Sequence, residues 1–323
     1  MAIGRNLKES FTIICIGDLD TNNMKKQKKI NIPIPANFSF QECLHYLDRG
    51  FDDCLYHLGN NAVSRLVQLC DGRALINIYE KSNALQIEML KDSISNDNLV
   101  EMKNYVLDWF DIERNIQPFY ELLSKNVALK EFPNLYLGAR LVGIPNLFEA
   151  LCWAIIGQQI NLTFAYKLKR SLVEKYGEKE VAGNIVYYLF PTPEVLAKLD
   201  RNELIKMKFS RQKIDYILNV SHAFLDNQIS KAILTDCKTK DKRVEKLTSI
   251  KGVGIWTANY VLMKTMRDMS CIAYGDSGLN KALNTIFATD KKPTNEEVDD
   301  IFKNFRHWES YLNFYLWRFL TLR

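Results

Sequence analysis

Residues 247–283, with the sequence LTSIKGVGIWTANYVLMKTMRDMSCIAYGDSGLNKAL, constrain the fold more than any other part of this 323-residue chain. A helical pattern stops at the Gly-Val-Gly sequence of residues 252–254, resumes at once, and stops again near Asp276, which has a glycine on its N-terminal side. Glycine adopts positive φ at little steric cost, so a tight turn can join the two helices. The pattern predicts a helix-hairpin-helix over about residues 243–267.

A hairpin of this kind exposes backbone N–H groups at the start of its second helix. Together with the helix dipole, these groups form an anion site that suits a DNA phosphate. Lys251 would add sequence-independent attraction to the DNA backbone. Two glycines can also simply let two helices cross closely, and the hairpin alone does not decide between phosphate binding and packing.

Basic residues crowd the approach to this hairpin: Lys238, Lys240, Lys242, Arg243, Lys246 and Lys251. Such a run usually forms a solvated face. The net charge of +5 favours a nucleic-acid partner only weakly.

Two further features follow the hairpin. Trp256 and Tyr260 lie one helical turn apart, which is typical either of helix core or of an aromatic ligand pocket. Asp276 precedes a helical pattern in GLNKALNTIF, where a carboxylate could serve as the N-cap or take part in chemistry.

The composition indicates a soluble globular protein, with 47% hydrophobic and 25% charged residues. We find no apolar run of the roughly 20 residues that span a bilayer, so no membrane partner is expected. The seven cysteines are scattered, without a C-x-x-C pair, and the four histidines form no metal-binding motif. We therefore expect reduced thiols in a cytoplasmic protein, without a redox cofactor or a catalytic metal.

Hydrophobic periodicity divides the chain into two domains. In residues 1–110, strand-like segments such as FTIICI, RLVQL and LINIYE alternate with helical ones, while residues 111–323 are mostly helical. The predicted fold is mostly α, with an N-terminal α+β domain followed by a helical domain.

Several blocks in the second domain carry a family resemblance: residues 147–177, residues 190–218, the hairpin with its W-T-A-N-Y sequence, and the G-D-x-G-L loop at 271–278. In this order they resemble the helix-hairpin-helix (HhH-GPD) DNA glycosylases, closest to the 3-methyladenine DNA glycosylase II group. The resemblance covers about residues 105–320. It implies a helical glycosylase core and an N-terminal domain like the TATA-binding protein.

The resemblance assigns a catalytic role to Asp276, whose carboxylate would stabilise the oxocarbenium-like sugar. It places Trp256, Tyr260 and Trp317 in the base pocket. Bifunctional relatives carry a nucleophilic lysine where this chain has Trp256, so a monofunctional enzyme without lyase activity is implied. The family usually has Phe-Pro shortly before the aspartate, whereas Ala273 stands at the proline position here, which leaves the rigidity of this loop and the substrate range open.

Further positions follow from the same resemblance. Gln159 matches the residue that fills the gap left by a flipped base, although a loop or capping role remains an alternative. The hairpin residues Lys251, Gly252, Val253 and Gly254 would contact DNA. A monovalent cation, Na⁺ or K⁺, would be held by the main-chain carbonyls of Thr248, Ile250 and Val253.

These features predict a monomeric enzyme of base excision repair that removes alkylated purines such as 3-methyladenine and 7-methylguanine from double-stranded DNA. In a bacterium it would associate with the nucleoid. Two alternatives remain: a helix-hairpin-helix glycosylase for another damaged base, and a non-catalytic helix-hairpin-helix module that binds DNA.

Overall fold

The N-terminal part of the chain folds around an antiparallel sheet. The computed structural model describes residues 28–51, 53–95 and 98–321. The strand order is β1-β5-β4-β3-β2, with every neighbouring pair antiparallel. Within the described residues, this sheet has the strands β1 (Lys29–Pro33), β2 (His57–Gly59), β3 (Ala62–Leu69), β4 (Gly72–Lys81) and β5 (Ala84–Asp92).

The two predicted strands RLVQL and LINIYE lie in β3 and β4, as expected. FTIICI, the third predicted strand, lies outside the described residues. Two helices, α1 (Phe40–Leu47), which Ser39 caps, and α2 (Leu99–Phe110), share the hydrophobic core of the sheet, and α2 contacts β1. The N-terminal α+β character is therefore confirmed.

The rest of the chain is mainly helical, as predicted. Its helices are α3 (Gln117–Lys125), α4 (Phe132–Leu135), α5 (Leu147–Gly157), α6 (Leu162–Tyr176), α7 (Pro193–Leu196), α8 (Arg201–Lys206), α9 (Arg211–Leu225), α10 (Lys231–Asp236), α11 (Lys240–Thr248), α12 (Ile255–Val261), α13 (Ser277–Phe287), α14 (Asn295–Phe302) and α15 (Glu309–Phe319). A π-helical turn at Leu262–Met266 extends α12, and a 3₁₀ turn at Lys303–Phe305 follows α14.

Local sequence explains where the central helices begin. Asn146 and Asn161 occupy the N-caps of α5 and α6, and each side chain accepts a hydrogen bond from a backbone N–H three residues later. The break near Gly157 and the end at Gly177 agree with the prediction. The sequence did not indicate the ribbon of β6 (Lys179–Ala182) and β7 (Ile185–Tyr188), whose second strand packs against β3.

Both parts of the chain contribute to one main hydrophobic core. It runs from the buried face of the sheet, including Ile76 and Ile87, through helix α5, which is buried up to Ile156, to α15. No helix among the described residues is long and apolar enough to cross a membrane. The boundary proposed at residue 110 remains a prediction.

Candidate active site and nucleic-acid interface

The predicted hairpin is present between α11 and α12. Gly252 has φ +106, and a Cβ added there would collide with the ring of Tyr216. Gly254 has φ −88, and an added Cβ would meet no atom within 4 Å. Gly252 therefore uses the positive φ that glycine permits, whereas Gly254 does not, and the side-chain space of Gly254 is open.

The candidate DNA-contacting residues surround one open cavity of about 610 Å³ beside the hairpin. Its walls are the hairpin, the loop after α5 and the first turn of α9. All of the residues assigned to DNA or to a cation line it: Gln159, Thr248, Ile250, Lys251, Gly252, Val253 and Gly254.

Two residues that the sequence analysis missed hold this cavity together. The Gln158 side-chain amide donates to the carbonyl of Gly252 at 3.2 Å and to the Thr257 hydroxyl at 3.1 Å. The buried Lys213 amine donates to three carbonyls at the end of α5: Ile155, Ile156 and Gln158, at 3.0, 2.6 and 2.7 Å. Burial lowers the pKa of Lys213 to about 8. The Gly-Gln pair at the end of α5 was a sequence signal that could have identified Gln158, but no sequence signal identified Lys213.

Gln159 itself is exposed and has φ +56, a left-handed conformation that is uncommon for a residue other than glycine. The side chain therefore projects from a fixed point at the rim of the cavity. This placement fits a residue that enters a DNA duplex, and the wedge role stays a prediction.

The basic run near the hairpin divides into two groups. Lys240 donates to the carbonyl of Ser270 at 2.8 Å, and Arg243 pairs with Asp268 at 3.0 Å, so both hold the fold. Lys242 and Lys251 are exposed and remain on the solvent side.

Three aromatic rings from α12 and α15 lie side by side, apart from the residues that line the hairpin cavity, and together are termed the aromatic wall. The rings of Trp256 and Tyr260 are stacked, with centroids 5.4 Å apart and planes inclined by 19°. Tyr260 and Trp317 have centroids 6.1 Å apart at 48°. All three side chains are only partly buried, and the indole Nε1 of Trp256 has no hydrogen-bond partner among the described residues. The three predicted pocket residues are thus brought together.

Asp276 joins these rings. Its Oδ1 accepts hydrogen bonds from the backbone N–H of Leu279 at 2.8 Å and from Trp317 Nε1 at 2.8 Å. Asp276 is therefore the N-cap of α13, which was one of the two roles that the sequence allowed for it. It also contacts the aromatic wall through Trp317. Both hydrogen bonds that the described residues make to this carboxylate use Oδ1.

Gly278 makes this close approach possible. A Cβ at this position would lie 3.1 Å from Asp276 Oδ1 and 3.3 Å from Trp317 Cδ1. These distances are tighter than ordinary van der Waals contact, so a side chain would separate the carboxylate from the indole.

One face of α15 holds the loop that carries Asp276. Ser310, Asn313 and Trp317 recur at i, i+3 and i+7, which places them on one side of the helix. Ser310 Oγ accepts from the N–H of Cys271 at 3.2 Å, and Asn313 Oδ1 accepts from the N–H of Ala273 at 2.9 Å. With the Trp317 indole on Asp276, three side chains fix the loop.

This contact gives Ala273 a physical role. A proline at position 273 has no N–H and could not donate to Asn313, which is fully buried. The loop in this chain is held by a hydrogen bond where the family's usual residue would hold it by a rigid ring.

Charged and phenolic groups lie behind Tyr260. The buried Lys264 amine donates to the hydroxyl of Tyr46 at 3.0 Å, and the guanidinium of Arg49 lies 4.2 Å from the Tyr46 ring centroid. Burial opposes ionisation of Tyr46, but the positive charges of Arg49 and Lys264 outweigh it and lower the pKa of its hydroxyl to about 8. Burial raises the pKa of Tyr260, which remains a neutral phenol.

Comparison with known sequence families gives two adjoining matches. The profile of the HhH-GPD superfamily, described as base excision DNA repair proteins, matches residues 152–307. The profile of the 8-oxoguanine DNA glycosylase N-terminal domain matches residues 35–151.

Two curated relatives bear related names. The "DNA-3-methyladenine glycosylase" of Bacillus subtilis (strain 168) is 34% identical over 294 residues, which is 90% of this chain and 97% of the relative. The "DNA-3-methyladenine glycosylase 2" of Escherichia coli (strain K12) is 28% identical over 155 residues, 48% of this chain and 51% of that protein.

Solved structures agree in fold. A 3-methyladenine DNA glycosylase from Archaeoglobus fulgidus superposes with a TM-score of 0.76 at 20% identity, covering 90% of this chain and 97% of the other. An 8-oxoguanine glycosylase/lyase from Clostridium acetobutylicum gives 0.72 at 17% identity, with 92% and 97% covered. At these identities the likeness concerns the fold alone.

Proposed function

Because the chain belongs to the HhH-GPD superfamily of base excision DNA repair proteins and is a DNA glycosylase, we propose that it hydrolyses the N-glycosidic bond of alkylated purines. The proposed substrates are bases such as 3-methyladenine and 7-methylguanine, flipped out of double-stranded DNA. The observation that carries this proposal is the contact between Asp276 and the aromatic wall through Trp317 Nε1.

The carboxylate has the chemistry that the reaction needs. Breaking the N-glycosidic bond leaves positive charge on the sugar, and a fixed carboxylate stabilises that charge without reorganising. Asp276 is held by Leu279 and Trp317 through the same oxygen, Oδ1. We propose that Oδ2 faces the sugar and orients the attacking water.

The aromatic wall suits a base that carries positive charge. Alkylation of a ring nitrogen makes a purine cationic, and the negative face of an aromatic ring attracts a cation by about 0.5–2 kcal/mol. Trp256, Tyr260 and Trp317 present such faces next to the carboxylate. A cationic base is also a good leaving group, so no metal or redox cofactor is required for this step.

We propose hydrolysis without strand cleavage. A lyase forms a Schiff base through an amine, and Trp256 stands where the resemblance places that amine. Lys264 follows on the same helical segment, but it is buried and donates to Tyr46. Its amine is engaged in the core.

The hairpin cavity is proposed as the DNA-binding surface. Backbone N–H groups at the start of α12 would bind a phosphate, with Lys251 adding charge. Gln159 would occupy the gap left by the flipped base. Thr248, Ile250 and Val253 line the same cavity, and their main-chain carbonyls, as neutral oxygen donors, would suit a monovalent cation that braces the hairpin. We propose that one chain binds DNA as a monomer.

A second candidate is excision of an oxidised base. It is favoured by the match of residues 35–151 to the 8-oxoguanine glycosylase N-terminal domain. A neutral oxidised purine would need specific hydrogen-bond partners, whereas the wall beside Asp276 is aromatic. We therefore place alkylated purines first.

One assay separates these readings. Duplex DNA treated with a methylating agent, and a matched duplex with one 8-oxoguanine, are incubated with the full chain, and released bases are quantified. We expect release of methylated purines and no borohydride-trapped enzyme–DNA adduct. Release of 8-oxoguanine alone would replace the proposed substrate class, and a trapped adduct would contradict hydrolysis without strand cleavage.

A further inference from the structure

A hydrogen bond from outside the aromatic wall holds its middle ring. Trp153, in α5, donates from its indole Nε1 to the hydroxyl of Tyr260 at 3.1 Å. Trp153 is only 8% exposed, so water competes little for its donor. Tyr260 lies between Trp256 and Trp317, and the angle of its ring therefore sets the shape of the whole wall.

Trp153 is in turn held by one face of α6. The ring of Tyr166 lies 4.6 Å from the Trp153 ring at 48°, and the Lys169 amine lies 5.3 Å from the centroid of the indole. Tyr166 and Lys169 are three residues apart, so they project from the same side of the helix.

The N-terminal part of the chain supplies the partners of both α6 residues. Arg49 donates from Nη2 to the Tyr166 hydroxyl at 3.0 Å. Asp53 accepts two hydrogen bonds from the Lys169 amine, at 2.8 and 3.1 Å. A cavity of only about 50 Å³ remains among these groups, which leaves the Trp153 ring little room to move.

A second ion pair completes the cluster. Glu149 lies 3.6 Å from Lys169 and accepts from Arg65 at 2.8 Å. Arg65 belongs to β3 and Glu149 to α5, so this pair also joins the sheet to the helices. Together the contacts run from the N-terminal part through α6 and Trp153 to Tyr260.

We propose that Trp153 is a positioning residue for the base pocket, and that Arg49 and Asp53 of the N-terminal part keep it in place through Tyr166 and Lys169. This inference rests on the proposed function, because it assigns Tyr260 to the substrate pocket. A ring that must stack on a flipped base loses productive contact when it tilts, and displacements of about 1 Å are costly at such sites.

The test is a double-mutant cycle on release of 3-methyladenine from methylated duplex DNA. Trp153→Phe keeps a ring but removes the donor, and Tyr260→Phe removes the acceptor. We expect each variant to lower kcat/KM by about three- to tenfold, the range of one hydrogen bond. The kcat/KM of the double variant should be no lower than that of the less active single variant, because the two changes remove the same interaction. The positioning role would be overturned if the two losses in kcat/KM multiplied in the double variant, or if Trp153→Phe had the kcat/KM of wild type.

The role of Asp53, in the N-terminal part of the chain, has its own test. Asp53→Asn should lower kcat/KM in the wild-type background and have little further effect in the Trp153→Phe background. An equal effect in both backgrounds would show that Asp53 does not act through Trp153, and would overturn the role proposed for Asp53. Trp308→Phe, whose ring packs on Phe119 and Tyr311, is the matched control and should retain wild-type kcat/KM.

Failure of this inference differs from failure of the proposed function. If wild type releases no methylated purine, the proposed function is wrong and the inference falls with it. If wild type releases the base and the cycle shows no coupling, only the inference is wrong. Thermal unfolding of each variant shows whether a lower kcat/KM reflects a loss of folded protein.

Discussion

At the scale of single residues, the carboxylate of Asp276 has an observed structural role and a proposed chemical one. Oδ1 caps α13 and accepts from Trp317. The N-cap and catalytic roles, which the sequence sets against each other, are compatible here. Sequence could identify the carboxylate but not its indole partner, because the two residues are 41 positions apart.

Ala273 gives a prediction at the same scale. Changing it to proline removes the N–H that Asn313 accepts, and leaves a buried oxygen without its partner. We expect Ala273→Pro to lower the free energy of unfolding by about 1–3 kcal/mol, measured by urea denaturation. Ala273→Gly keeps the N–H and serves as the control. A proline variant as stable as the glycine variant would show that this hydrogen bond does not hold the loop.

At the scale of elements, the sequence predicted the hairpin and the helices around it, because glycines and N-cap residues mark their ends locally. It did not reveal Lys213, whose amine crosses from α9 to the end of α5. Nor did it reveal the face of α15 that holds the aspartate loop. Such contacts depend on tertiary packing, and a single sequence carries no local signal for them.

The two glycines of the hairpin should respond in opposite ways to alanine. Gly252→Ala places a Cβ against Tyr216 at positive φ, and should destabilise the fold by about 2 kcal/mol or more. Gly254→Ala meets no atom of the chain, so its stability should change by about 0.5 kcal/mol or less.

Of these two glycines, Gly254 is the one whose side-chain position is open, and we propose that the phosphate lies on that side. Alanine keeps the backbone N–H, but its methyl group would hold the phosphate away from it, so this variant should bind duplex DNA about tenfold more weakly, the range of one hydrogen bond to a charged group. Urea denaturation and DNA binding by fluorescence anisotropy at one fixed salt concentration measure the two properties. Unchanged DNA affinity in a folded Gly254→Ala protein would remove this glycine from the interface.

At the scale of the whole molecule, the N-terminal sheet and the helical part share one core and a buried ion cluster. The sequence predicted the two structural classes from their hydrophobic periodicity. It could not predict that Asp53, Arg65, Glu149 and Lys169 meet, since two of them lie in each part. The ribbon β6–β7 was also missed, because each strand has only four residues.

The cluster predicts a dependence of stability on pH. Burial opposes ionisation of Asp53, but attraction and hydrogen bonding to Lys169 outweigh it and lower the pKa of the Asp53 carboxyl. A carboxyl whose pKa is lower in the folded state stabilises the protein above the unfolded value of about 3.9. This contribution is lost as the pH falls through the lower folded pKa.

Urea denaturation between pH 7 and pH 2.5 measures this contribution. We expect the free energy of unfolding to fall more steeply below about pH 4 in wild type than in Asp53→Asn, which cannot titrate at this position. Asp48→Asn, an exposed carboxylate on the neighbouring loop, is the control and should retain the wild-type slope. Identical slopes for wild type and Asp53→Asn would contradict the stabilising role of this ion pair.

The central claim is that Asp276 performs chemistry beside a pocket for alkylated purines. The most direct measurement compares release of 3-methyladenine and affinity for methylated duplex DNA in wild type and Asp276→Asn. Asparagine keeps an oxygen for Leu279 and Trp317 but removes the charge, so we expect retained DNA affinity and kcat lower by about 10²–10³-fold. Asp276→Asn that binds DNA and releases the base at the wild-type rate would contradict the account, and would leave Asp276 as a helix cap alone.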